Sequence, residues 1–111
     1  MRLSMEKENS SFETIVGLQV IDESLYAEYR NAMKDILEQY EGGFRYDFKI
    51  QETLKSETKN PINRVFLIYF KNKERKQSFF ADPEYKKIRE KYFVPSVEST
   101  TQIAEYERFL N

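Results

Sequence analysis

Residues 64–71 read RVFLIYFK, and positions 65–70 are apolar without a break. A short run of β-branched and aromatic residues reads as a strand. Successive strand side chains point to opposite faces, so Val65, Leu67 and Tyr69 stand against Phe66, Ile68 and Phe70. Both faces of this strand therefore demand cover. The rest of the chain must supply it.

The other elements follow from period and punctuation. Residues 1–11 (MRLSMEKENSS) are polar and without period, and are expected to form a flexible leader to a single domain over residues 12–111. FETIVGLQVI, residues 12–21, reads as the first strand, with Asp22 capping the helix behind it. In that helix Leu25, Tyr29, Ala32, Ile36 and Tyr40 recur at steps of three and four, and Tyr26, Met33 and Leu37 widen the stripe. Gly42 and Gly43 are expected to end the helix. In FRYDFKIQETL, residues 44–54, the residues Phe44, Tyr46, Phe48 and Ile50 alternate with Arg45, Asp47, Lys49 and Gln51, which predicts a strand with unlike faces. A polar loop containing Pro61 leads to the strand at 64–71. A second helical region spans about residues 72–93, restarted at Asp82-Pro83-Glu84 by a capping acid followed by a proline at the first helical position. The last strand falls within residues 100–110.

The order β-α-β-β-α-β predicts an α+β, ferredoxin-like fold, a four-stranded antiparallel sheet with both helices on one face. The opposite face then stays open. With the third strand apolar on both sides, and the first nearly so, the economical cover is a second copy of the same sheet, giving a homodimer through the sheet faces.

Composition closes off several chemistries. The chain has no histidine and no cysteine among its 111 residues. A Ser-His-Asp triad, a thiolate nucleophile, a zinc-thiolate site and a His-ligated haem are all excluded. No phosphate loop, dinucleotide fingerprint or metal-ligand cluster is present, so neither metal nor cofactor is expected. With 18 basic and 19 acidic residues the chain lacks the basic excess of a nucleic-acid binder. No stretch resembles a signal peptide, and the six-residue apolar run is far short of the ~20 residues of a membrane span. A soluble cytoplasmic protein with no nucleic-acid or membrane partner is the expectation.

VIDESLYAEYR, YEGGF, NRVFLIYF and DPEY, in this order and spacing, resemble one bacterial family, the domain-of-unknown-function family 1330 of the dimeric α+β barrel superfamily. The resemblance covers about residues 12–107. It implies the ferredoxin-like fold and a barrel formed by two packed sheets, and no established activity; superfamily relatives include cofactor-independent monooxygenases, haem-degrading enzymes and ligand-sensing domains. The family's tyrosine pair falls on Tyr26 and Tyr29, its glycine pair on Gly42 and Gly43, the basic residue before the third strand on Arg64, and its Pro-Glu-Tyr on Pro83, Glu84 and Tyr85. Three places depart from the family pattern: Asp47-Phe48-Lys49 stands where the second strand usually runs into a Gly-rich end, Tyr69 where an acid commonly precedes the closing Phe of the third strand, and Tyr92 where an arginine often lies. If those positions belong to the family's pocket, its polarity has changed here.

Each candidate site carries two readings. Tyr26 and Tyr29 either present hydroxyls to a cavity under the first helix or serve as packing. Tyr85, Arg89 and Tyr92, at i, i+4 and i+7, either hold an oxyanion between phenols and guanidinium or form a helix surface with Arg89 paired to Glu84 or Glu90. As catalytic candidates we take Arg89, Tyr85 and Tyr92, and as substrate-binding candidates Tyr26, Tyr29, Tyr69 and Arg64. Arg64 reads equally as an exposed cation, and Arg45 with Asp47 as members of cross-strand ion pairs. Residues 71–91 hold 8 basic and 4 acidic residues, a solvated face or one that steers an anion. The functions that survive are a small-ligand-binding or enzymatic homodimer with a tyrosine-rich pocket between helices and sheet, an enzyme of this kind being expected to carry out cofactor-independent oxidation of, or proton transfer on, a small organic molecule; a non-catalytic sensing or interaction module; and a purely structural dimer.

Overall fold

Asp22 accepts a hydrogen bond from the Leu25 amide and starts the first helix where the first strand ends. In the computed structural model, which describes residues 9–109, the order is β1 (Ser10–Val20), α1 (Glu23–Gln39), β2 (Gly42–Lys49), β3 (Arg64–Phe70), α2 (Lys73–Ala81), α3 (Pro83–Ile88) and β4 (Val97–Phe109). A π-helical turn (Arg89–Phe93) and a 3₁₀ turn (Val94–Ser96) join α3 to β4. The strands form one antiparallel sheet in the order β2-β3-β1-β4, the ferredoxin-like arrangement. No helix among the described residues is long and apolar enough to cross a membrane. Of the expected leader, Ser10 and Ser11 already belong to β1, and residues 1–8 lie outside the described residues.

The second helical region breaks where expected. Asn72 caps α2 by accepting from the Arg75 amide, and Asp82 caps α3 by accepting from the Glu84 and Tyr85 amides. The Tyr40 hydroxyl donates to the other oxygen of Asp82 at 2.6 Å, tying the end of α1 to the start of α3.

Three expectations are corrected. The glycine pair does not cap α1; Glu41 takes the left-handed conformation at φ 58°, and both glycines open β2. Gly42 is needed for close approach instead: a Cβ there would lie 2.7 Å from Leu37 Cδ1 and 2.8 Å from Phe70 Cε1. The centre of the buried stripe on α1 is Tyr26, Tyr29, Met33 and Leu37, with Ile36 and Tyr40 at its edge, a rotation of the expected face. The alternation in β2 is interrupted by a β-bulge at Arg45, between Phe44 paired to Ile68 and Tyr46 paired to Leu67. An inserted residue reverses every side chain after it. Phe44 therefore joins Phe66 in the core, whereas Tyr46 and Phe48 turn to the open face and stack on each other at 5.7 Å.

The core lies between sheet and helices and is mostly aromatic. Phe70, Phe79 and Tyr85 pack in sequence, with ring centroids 5.5 and 4.3 Å apart. The open face carries Ile15, Val65, Leu67 and Tyr69, half-buried, with Tyr46 and Phe48 57% and 51% exposed. In its midst Glu13 has no exposed surface. Ser11 Oγ and Arg45 Nε donate to its Oε2 at 2.6 and 2.7 Å, and the Tyr106 hydroxyl to its Oε1 at 3.1 Å. Arg108 approaches at 3.6 Å, and the Arg45 guanidinium lies 3.9 Å above the Tyr69 ring. Burial pushes the Glu13 carboxyl up, but the three hydrogen bonds and the Arg45 charge outweigh it and hold the group below the ordinary glutamate range.

Candidate functional site

The helices cover the sheet unevenly. α1 sets Leu37 against Gly42 of β2 and Met33 in one cavity wall with Phe44 of β2 and Phe66 and Ile68 of β3, whereas β4 presents Thr100 and Gln102 on the helix side with both side chains exposed. Between them runs a cavity of about 320 Å³. Its floor is apolar, with Leu18, Phe66 and Ile68 from the sheet and Met33 from α1. Phe80, Arg89, Thr100 and Gln102 are the exposed members of its lining and form the mouth.

Tyr29 on α1 and Tyr85 on α3 meet at the wall, their hydroxyls 2.8 Å apart and buried. One hydroxyl of such a pair donates to the other, so a single proton remains for a third group. Burial pushes both phenols up, Tyr29 well above the ordinary value with its partner hydroxyl adding to the effect. The nearby Arg89 charge pulls Tyr85 the other way without overcoming burial. Both phenols are neutral at neutral pH: they donate and accept hydrogen bonds but do not act as phenolate bases. Tyr26 lines the same cavity, its ring 5.7 Å from that of Tyr29, but its hydroxyl accepts from Arg30 Nε at 2.9 Å.

Cations distribute unequally. Arg30 and Arg64 are both committed to Asp47: Arg30 Nη2 lies 3.1 Å from it, and Arg64 Nε and Nη2 donate to its two oxygens at 2.9 and 3.0 Å. The Arg30 guanidinium also lies 3.8 Å above the Phe44 ring. Burial raises the Asp47 carboxyl, and the two guanidinia more than offset that, so its net shift is downward. Lys76, in the cavity wall, is paired with Glu105. Arg89 has no ion-pair partner among the described residues, and neither Glu84 nor Glu90 pairs with it; its guanidinium lies 5.3 Å from the Phe93 ring centroid. None of the described residues lining the cavity is a carboxylate. Among the described residues no group of three or more carboxylates gathers to hold a metal.

Of the seven candidates, the structure gathers Tyr26, Tyr29, Tyr85 and Arg89 around one cavity. Tyr92 is not in the lining. The π-helical turn that begins at Arg89 inserts a residue into the helical register, and Phe93 takes the inward place. Tyr69 faces the other side of the sheet beneath Arg45, as parity with Val65 and Leu67 requires. Arg64 lies outside the cavity lining and is not an exposed cation: its side chain is 14% exposed and pinned by Asp47. Arg45 and Asp47 do form cross-strand ion pairs, but on opposite faces, because the bulge separates them. Sequence reasoning missed Met33, Phe80 and Phe93 as cavity residues and Glu13 altogether. Only the alternation of β1, which puts Glu13 on the Ile15 face, hinted at the latter.

The match to known families is decided over most of the chain. Domain of unknown function (DUF1330) matches residues 14–93. The chain belongs to this family. The resemblance carried by VIDESLYAEYR, YEGGF, NRVFLIYF and DPEY is thereby borne out. Comparison with the curated proteins finds no match. Among solved structures, a protein of unknown function from Rhodopseudomonas palustris superposes with a TM-score of 0.71 at 12% identity, covering 97% of this chain and 90% of that one. A nipsnap family protein of unknown function from Agrobacterium tumefaciens gives 0.59 at 16% identity, over 92% and 90% of the two chains. A dabb family protein with a ferredoxin-like fold from Mesorhizobium loti gives 0.57 at 10% identity, over 89% and 95%. At such identities the likeness speaks for the fold of this DUF1330 member and not for its chemistry.

Proposed function

We propose that this DUF1330 member is a homodimer whose subunits each bind one small organic molecule in the cavity between helices and sheet. The observation that carries the reading is the cavity itself, about 320 Å³, apolar in its floor, with the Tyr29–Tyr85 hydroxyl pair and Arg89 converging on it. Few, convergent polar groups in an apolar hollow are the usual build of a small-molecule site. At ~30 Å³ per water-sized group, the volume admits a ligand of about ten non-hydrogen atoms.

Two of the substrate-binding candidates keep their assignment in this reading. Tyr26 and Tyr29 shape the wall, and Tyr85 and Arg89 supply the polar contacts. Turnover would add one requirement, charge development on a ligand oxygen. Arg89 and a neutral Tyr85 hydroxyl are suited to stabilising that oxyanion, and neither is suited to removing a proton. The dimer is supported by the apolar open face around Tyr46, Phe48, Leu67 and Tyr69, which a second sheet would bury. The cysteine-free composition suits a reducing cytoplasm.

A thermal-shift screen against small organic acids, phenols and quinones tests the site. A ligand at a hundredfold excess over its Kd stabilises the fold by about 2.7 kcal/mol, a readily visible rise in Tm. Tyr85→Phe, which removes one hydroxyl from the pair, is expected to reduce that rise. Absence of any stabilising compound, together with a dimeric mass in solution, would favour a structural dimer instead.

A further inference from the structure

We infer that the cavity takes an organic monocarboxylate, its apolar body in the aromatic floor and its carboxylate on Arg89 at the mouth. This inference rests on the small-molecule reading of the same cavity and adds the charge and head group of the ligand.

The charge inventory of the lining carries it. The wall contains two cations, Lys76 and Arg89, and no carboxylate. Lys76 is already neutralised by Glu105, which faces it from β4, and it also reaches Thr14 Oγ1 at 3.4 Å. Arg30 and Arg64 are likewise taken up by Asp47. Arg89 is the lining cation left with no ion-pair partner among the described residues, and it stands at the exposed mouth. One unpaired guanidinium above an apolar hollow matches one negative charge on an apolar body.

The head group follows from geometry and donor number. A guanidinium offers parallel N–H donors that fit the two oxygens of a carboxylate. The Tyr29–Tyr85 pair adds one further O–H. A phosphate monoester carries more charge and needs more donors, commonly from backbone amides at a helix N-terminus or glycine-rich loop. No glycine lies in the lining, and Asp82 occupies the start of α3, its side chain accepting from the first free amides. Lys86 lines the neighbouring surface hollow together with Lys76 and Phe80 of the cavity wall, and adds positive charge beside this mouth.

The test compares near-isosteres in which a carboxamide replaces the carboxylate, removing the charge and one acceptor oxygen. Binding of 2-naphthoate and 2-naphthamide, and of octanoate and octanamide, is measured by titration calorimetry with wild type and Arg89→Gln. In wild type the carboxylate of at least one pair is expected to bind about tenfold or more tightly than its amide, as a charge-assisted contact warrants. Arg89→Gln should erase that preference and leave the amide's affinity unchanged. Equal affinities within each pair, or a preference that survives Arg89→Gln, overturn the inference while leaving the cavity a ligand site. Tighter binding of 2-naphthyl phosphate than of 2-naphthoate overturns the head-group assignment. If no member of either pair binds, the small-molecule reading falls with it.

Discussion

Glu13 is a carboxylate without exposed surface on the face of the sheet that the helices leave open, and replacing it by glutamine tests how that face is held. Glu13→Gln keeps the shape but only one acceptor oxygen, where Ser11 donates to Oε2 and Tyr106 to Oε1, and it removes the charge that Arg45 meets at 2.7 Å and Arg108 at 3.6 Å. Removing one partner of a fully buried pair costs about 3–5 kcal/mol. Arg45 is a quarter exposed and Arg108 half exposed, so both regain water, and we expect a loss of about 2–3 kcal/mol. With a urea slope of about 1–3 kcal/mol per molar for a chain of this size, the unfolding midpoint should fall by roughly 0.7–3 M at fixed protein concentration. The effect has a pH signature. The folded carboxyl is held below its ordinary range, so its contribution is complete above that range and is lost as pH falls through the folded value. Wild type and Glu13→Gln should therefore differ most near neutrality and converge in acid, where protonated glutamate and glutamine are near-isosteres. A variant with the wild-type midpoint at neutral pH, or a gap that does not close in acid, would refute this account of the cluster.

Other perturbations separate the layers of the fold. Gly42→Ala places a methyl group within 2.9 Å of both Leu37 and the fully buried Phe70, and should cost about 1–3 kcal/mol in urea unfolding. Gly43→Ala meets only the outer end of the half-buried Tyr69 and should cost less. The double variant Tyr46→Glu, Phe48→Glu puts two charges on the open face; if the proposed dimer forms there, sedimentation should report a dimer for wild type and a monomer for the variant, and an equal mass for the two would refute dimerisation through this face. In a spectrophotometric titration Tyr29 and Tyr85 should ionise above the ordinary tyrosine range, and Tyr29→Phe should remove a late-titrating component.

Much of the fold was legible because it rests on signals local in the chain. Asp22 and the Asp82-Pro83-Glu84 restart mark helix starts through hydrogen bonds made within three residues. The unbroken apolar run at 65–70 called for cover on two sides, and β3 does sit inside the sheet, with Phe66, Ile68 and Phe70 buried by the helices. The site was half legible. Tyr26, Tyr29 and Tyr85 were found by helical spacing, and Arg89 by its place beside Tyr85.

What local pattern could not supply was parity. One extra residue at Arg45 turns Tyr46 and Phe48 from the core to the open face and sends Asp47 inward to Arg30 and Arg64. One extra residue in the turn after Ile88 exchanges Tyr92 for Phe93 in the cavity wall. Bulges and π turns are accepted when packing across the sheet or between helices stabilises them by more than their local cost, and that packing involves residues distant in the chain. The sequence by itself determined the order of elements, the ferredoxin-like topology, the membership in DUF1330 and the absence of histidine and cysteine chemistry. Only the tertiary structure decided which face each side chain of β2 serves, that Glu13 is buried among Ser11, Arg45 and Tyr106, and that Arg89 is left without a carboxylate partner among the described residues. Those outcomes depend on which distant groups meet, and a one-residue change of register is enough to alter them.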